Sequence, residues 1–256
     1  MAKLFNGIRE KIISEKPSVG RTTNYLKYAI GEIVLVVIGI LIALSINNWN
    51  EHRKNANQEL KLLQSFKIGL EKDLSDIDVN ISTHTTGVNS ANLILNLLEK
   101  NQTYNDSLAK HFSYAMQPST FVNSTSAFET LKSKGIDLIS NENLRSQLIN
   151  VYDAQYTFFQ KYEAQFLEEH VFGLRNIFPS RFEESYIFNL ESDDFLGEIV
   201  PLNFENLKTD QEFLYYFKSI KNRTYLFVNY FYKNLRAHVV DLINEIEKEI
   251  EKNKNN

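Results

Sequence analysis

From Tyr28 to Ile46 the chain reads YAIGEIVLVVIGILIALSI, nineteen residues in which Glu32 is the one charge. A helix rises about 1.5 Å per residue, so some twenty residues cross a hydrocarbon layer of about 30 Å. The run therefore predicts one membrane-spanning helix. No second run of comparable length follows, and the remaining apolar positions recur at spacings of three and four, the period of helices with one buried face.

Downstream, Leu60, Leu63, Phe66, Leu70, Leu74, Ile77 and Ile81 make the first such stripe, on a helix expected to continue from the span through Asn47 and Trp49 as far as Gly87. Ser90–Lys100 reads as helical again. Asn105 or Asp106 can cap a short helix that Pro118 stops. Ser126 with Glu129 has capping-box spacing and opens a helix closing at Gly135. Asn141 caps the next helix, expected to run to Val171 and to be broken by Gly173 and Pro179. Residues 181–208 are irregular, with room for one or two short strands. Thr209 with Glu212 gives a second capping box. It precedes the longest stripe: Phe213, Phe217, Ile220, Phe227, Phe231, Leu235, Val239, Leu242, Ile246 and Ile250. The final EKEIEKNKNN is poor in apolar residues and is expected to fray. The fold class expected is all-α. A basic tail (1–24) and a transmembrane helix (25–49) lead into one elongated extracytoplasmic helical bundle (50–256).

Charge then orients the span. Residues up to Lys27 hold six basic against two acidic side chains, net +4, which leaves −8 for the rest of a chain of net charge −4. Lys and Arg close to a span bias that end to the cytoplasm. The N-terminus is expected to stay on the cytoplasmic side and the main domain to be exported. Tyr25, Tyr28 and Trp49 bracket the span as interface anchors. Leu4, Phe5, Ile8 and Ile12 suit a short helix lying on anionic lipid. A cleaved signal peptide is the competing expectation, since Ile33–Leu44 has the length of an apolar signal core and Ala43-Leu44-Ser45 passes as a cleavage site. The long charged region before it, Glu32, and the Asn47-Asn48-Trp49-Asn50 flank favour retention.

The string YAIGEIVLVVIGILIALSINNWNE, Tyr28 to Glu51, resembles the opening of an uncharacterised family of single-pass bacterial envelope proteins, the domain of unknown function 6090 family. A weaker likeness continues through Ser126–Gly135 and Ile139–Tyr152. The resemblance implies a bacterial envelope location and a helical domain; with the charge orientation, the expectation is a single pass through the inner membrane with the main domain in the periplasm. It carries no activity, ligand or catalytic residue.

Chemistry is sparse. Without cysteine there is no disulfide, thiolate nucleophile or cysteine metal site. His52, His84, His111, His170 and His238 fit no zinc or di-iron spacing, and no phosphate loop, dinucleotide fingerprint or nucleophile elbow occurs. No catalytic, cofactor-binding or metal residue is assigned. Glu168-Glu169-His170, the group Glu71, Asp73, Asp76 and Asp78, and the patch Glu191, Asp193 and Asp194 all read as solvated surface. The cluster Tyr215, Tyr216, Phe217, Tyr225, Phe227, Tyr230, Phe231 and Tyr232 reads mainly as core, its off-stripe tyrosines being the better contact candidates. An acidic exported portion disfavours nucleic acid.

Two features of the span carry functional weight. Glu32 is an ionisable group inside it, which marks ion pathways or partner contacts when it is not simply positioned near the interface. Gly31, Leu35, Gly39 and Ala43 form a stripe at which two helices could approach, a candidate homo-oligomer seam. The function expected is non-enzymatic: scaffold, envelope-protein partner or ligand sensor, with the lipid bilayer as an expected partner. The alternatives are an accessory subunit of an ion-coupled motor or transporter using Glu32, and an enzyme with a dispersed site.

Overall fold

The computed structural model describes residues 21–184, 186–187 and 197–254, with side chains from Tyr28 to Asn253 within those ranges. The interfacial segment Leu4–Ile12, the side chain of Tyr25 and the patch Glu191, Asp193 and Asp194 lie outside the described residues. The chain divides into two compact units, Met1–Ala56 and Asn57–Asn256.

In the first unit the described residues belong to α1 (Arg21–Glu99), the helix that also supplies the start of the second unit. This is the one helix among the described residues long and apolar enough to cross a membrane. Every large apolar side chain from Tyr28 to Ile46 is 46–65% exposed among the described residues.

The second unit is a helical bundle. After α1 come α2 (Ser107–Met116), α3 (Ser126–Lys134), α4 (Glu142–Ile149), α5 (Tyr156–Phe172), the single turn α6 (Phe204–Leu207), α7 (Gln211–Leu226) and α8 (Lys233–Lys254). Three π-helical turns interrupt the later helices: Asn150–Gln155 joins α4 to α5, Gly173–Ile177 follows α5, and Phe227–Tyr232 joins α7 to α8. Among the described residues there is no strand. The 181–208 stretch holds two isolated antiparallel bridges, Phe182 with Pro201 and Ile187 with Glu198.

Apolar side chains gather into two cores. One joins Leu63, Phe66 and Leu70 of α1 to α3, α4, α5 and α8. The other joins Ile94 and Leu98 of α1 to α2, the 177–207 stretch and α7. Each fully buried Leu, Ile or Phe contributes about 1.5–3 kcal/mol, so both cores outweigh any surface ion pair. Between them α1 is polar, DVNISTHTTGVNS from Asp78 to Ser90.

Several local expectations hold and several need correction. Asn141 caps α4, accepting from the N–H groups of Asn143 and Leu144. Gly135 closes α3 at φ +103°, a backbone state that disfavours a side chain. Neither capping box forms: Thr125 precedes α3 without a side-chain cap, and Asp210, not Thr209, caps α7 through the Phe213 N–H. Arg181 explains that choice by holding Asp210 with two hydrogen bonds of 2.7 and 3.1 Å, which keeps its carboxyl below the usual range.

Gly87 and Gly173 do not break helices. A Cβ at Gly87 would sit 2.8 Å from the Tyr114 carbonyl oxygen, and one at Gly173 would strike the Tyr216 ring, so both glycines are points of close approach. The C-terminus does not fray before Lys254, because Glu249 and Ile250 are buried and Glu249 accepts from the Asn141 amide at 2.5 Å. The long stripe is also re-phased. The π-turn at Phe227–Tyr232 inserts a residue, so Tyr232 is fully buried while Phe231 is left half-buried.

Candidate functional site

Two polar assemblies compete for the role of functional site. The first is buried. The loop 117–125 has no helix or sheet to satisfy its backbone, and side chains of α1 and α5 do so instead. Ser124 N–H donates to Asp73 at 2.7 Å, Val122 N–H to Asp76 at 3.0 Å and Phe121 N–H to Glu163 at 2.8 Å. Asn80 accepts from the Ser119 hydroxyl at 2.6 Å, and the His84 Nε2–H donates to the Ser119 carbonyl at 3.1 Å. Residues 73, 76, 80 and 84 recur at helical spacing, so one face of α1 grips the loop.

A single motif occurs twice in this belt. Asp73 takes the Tyr156 hydroxyl at 2.7 Å, and Glu163 takes the Tyr232 hydroxyl at 2.9 Å, each alongside its loop N–H. Burial pushes both carboxyls up, and it pushes His84 and His170 down to about 4. The acidic face expected to be solvated is therefore corrected at Asp73, which is fully buried, and the surface reading of His170 fails likewise, its Nδ1–H donating to the Phe166 carbonyl at 3.1 Å. Two donors meet each carboxylate and the histidine protons are committed to carbonyls. The belt is a clamp that holds the loop backbone, both donors to Glu163 falling on its Oε1. Among the described residues no group of three or more His, Asp or Glu side chains could hold a metal ion.

The second assembly is open. Between α4 and α8 lies a groove of about 520 Å³, walled by Asn143, Gln147 and Asn150 on one side and by Asp241, Asn244 and Lys248 on the other. His238 joins it to a smaller hollow of about 170 Å³ between Phe158 and Tyr230. Phe158 is 51% and Tyr230 56% exposed, and with Tyr162 and Phe231 they form an aromatic shelf, neighbouring ring centroids 4.7–6.2 Å apart. Among the described residues no side-chain hydrogen bond occupies Gln147, Asn150, His238, Asp241 or Asn244, whereas Lys248 is paired with Glu245 at 2.6 Å. Both walls carry a π-turn, and such turns recur at functional sites.

Of the off-stripe tyrosines expected to make contacts, three face outward, whereas Tyr216 packs against the second core and Tyr232 is fully buried. Tyr215, Tyr225 and Tyr230 are exposed, while Phe217, Phe227 and Tyr232 are core. The groove walls themselves went unread in the sequence. Their signal is a polar stripe at spacing three or four, Asn143-Gln147-Asn150 and His238-Asp241-Glu245-Lys248, running beside each apolar stripe.

In the first unit, Glu32 and the seam positions Gly31, Leu35, Gly39 and Ala43 are all exposed, and a Cβ at either glycine would meet nothing within 4 Å. Tyr28 and Trp49 are exposed at 65% and 63%, and the Arg53 guanidinium lies 5.2 Å over the Trp49 ring.

Searches of curated proteins and of solved structures find no match. A family model does match, over residues 32–209, from the intramembrane candidate Glu32 to Thr209 ahead of α7, and the chain belongs to that family of unknown function, DUF6090.

Proposed function

We propose that this chain is a membrane-anchored binding protein of the bacterial cell envelope. Tyr28–Ile46 spans the inner membrane, the basic N-terminus stays in the cytoplasm, and residues 50–256 face the periplasm. The carrying observation is the uncovered apolar surface of α1 on every face, which water would penalise at about 25 cal/mol per Å² and a bilayer would not. The protein acts through contacts, as scaffold, assembly partner or ligand sensor, and the α4–α8 groove supplies the recognition surface. That groove combines solvent-facing amides with exposed aromatics, the mixture that binding sites use for orientation and contact area.

Alkaline extraction of membranes with N-terminal sequencing of the recovered chain is the test. Retention in the pellet with residues 1–27 intact is the expected result. A soluble product beginning near Ile46 would identify a signal peptide and remove the anchor.

A second reading rests on Glu32, a carboxylate exposed on the span. In it the chain is an accessory subunit of an ion-coupled motor or transporter, and Glu32→Gln abolishes transport while insertion is preserved. An unaffected flux would eliminate that role.

A further inference from the structure

The chemistry of the groove points to its ligand class. Resting on the groove as recognition surface, we infer that it takes a neutral oligosaccharide, whose hydroxyls are read by Asn143, Gln147, Asn150, Asp241 and Asn244 and one of whose ring faces lies on the Phe158–Tyr230 shelf.

The free groups at the groove centre are amides, each offering two donors and an acceptor, and a hydroxyl likewise both donates and accepts. Lys248 is the one lysine or arginine of the walls and stands with Asp241 and Glu245, so the groove has no positive field to recruit a phosphate or carboxylate. Asp241 and His238 add an acceptor and an imidazole without creating an anionic cage.

Peptide modes fit less well. Both walls are helices whose backbone bonds are made internally, so no strand edge is offered for a peptide to extend. An amphipathic helix needs an apolar trough, and the larger hollow presents amides and carboxylates instead. A phosphopeptide needs an arginine cluster, and the walls hold a single paired lysine.

The aromatic end completes the match. Sugar rings expose an apolar C–H face, and the half-exposed Phe158 and Tyr230 present ring surface beside the amides. The two hollows share His238, so a chain of several units can cover both. Their combined size lies within the 300–1,000 Å³ typical of small-molecule sites.

The test uses the full chain in lipid nanodiscs with two soluble neutral β-1,4 tetrasaccharides, cellotetraose and tetra-N-acetylchitotetraose. Saturation-transfer NMR and calorimetry read binding. At least one tetrasaccharide is expected to bind saturably, its ring protons receiving saturation from aromatic protons. Phe158→Ala and Asn150→Ala should each weaken it roughly twofold to tenfold with the melting transition unchanged. Tyr230→Ala repeats the aromatic test from the other wall. Absence of binding by both sugars at millimolar concentration, with the chain folded, overturns the assignment, as does binding that all three variants leave intact. A photo-cross-linker at Asn244 in living cells separates this failure from that of the parent reading. A protein adduct there would end the sugar assignment yet keep the groove as a recognition surface, whereas no adduct together with no sugar binding would remove both.

Discussion

Tyr152 and Tyr156 lie one helical turn apart and set opposite expectations for the same substitution. The Tyr156 hydroxyl donates to the buried Asp73 carboxylate at 2.7 Å, so Tyr156→Phe strips that charge of one of its two donors. A loss of about 1.5–3 kcal/mol is expected in chemical denaturation. Among the described residues the buried Tyr152 hydroxyl has no hydrogen-bond partner, and its ring is stacked on Phe128 at 4.7 Å. Tyr152→Phe removes an unsatisfied group without altering shape, and stability should hold or rise by up to about 1 kcal/mol. Equal losses in both variants would contradict the bonding described. The histidines add a pH dependence. His84 and His170 sit at about 4 against the usual 6.5, so the unfolded chain takes up protons in that window that the folded chain refuses. Their contribution is complete above 6.5 and is lost as pH falls towards 4. Asp73 and Glu163, pushed upward by burial, act in the opposite sense, favouring the folded state more as acid is added. The imidazoles should dominate between neutrality and about pH 5, costing of the order of 1–2 kcal/mol each. Melting curves across that range should fall in the native chain and flatten in His84→Asn/His170→Asn.

Glycines inside α1 test packing against propensity at the scale of an element. An exposed Gly→Ala change in a helix interior gains about 0.5–1 kcal/mol. Gly69 has room, the nearest atom to a new Cβ being Ser124 Cβ at 3.4 Å, so Gly69→Ala should stabilise. Gly87 lies against the backbone of α2, where a Cβ at 2.8 Å from the Tyr114 carbonyl forces the helices apart. Gly87→Ala should therefore cost about 1–3 kcal/mol despite the better helix former, and thermal melts of the pair should move in opposite directions. The same contrast shows what a sequence discloses. Pro118, Gly135 and Asn141 act through their own backbone or their next few neighbours, and each is placed as its chemistry predicts. Gly87 looks like a break in the sequence because its true neighbour, Tyr114, is 27 residues away. Asp73 was read as surface because Tyr156 is 83 residues away. The π-turn at Phe227–Tyr232 inserts one residue without any change in composition, so the apolar stripe pointed to Phe231 where Tyr232 is the core residue. The groove was hidden for the first of these reasons, its walls being joined only when α4 packs against α8.

For the whole molecule, under the proposed membrane anchoring, the decisive variable is which side of the bilayer receives residues 50–256, since that sets what the groove can meet. The six basic residues up to Lys27 face only Arg53 and Lys54 just beyond the span. Loop charge near a span directs orientation through its lysines and arginines, with acidic residues contributing little. Neutralising Lys3, Arg9, Lys11 and Lys16 while adding lysines after Trp49 should therefore invert a fraction of the chains. A C-terminal reporter active only outside the cytoplasm would lose signal in proportion, while total membrane-bound protein stays constant. Glu32 sharpens the experiment, because Glu32→Gln alters an acidic position and should leave orientation unchanged. Inversion by Glu32→Gln, or none after the basic residues are moved, would mean that something other than tail charge fixes sidedness. The groove follows the domain: in inverted chains a photo-cross-linker at Asn244 should lose any envelope adduct it forms in the native orientation. An adduct unchanged by inversion would place the recognised molecule in the cytoplasm, and the envelope role would fall with it.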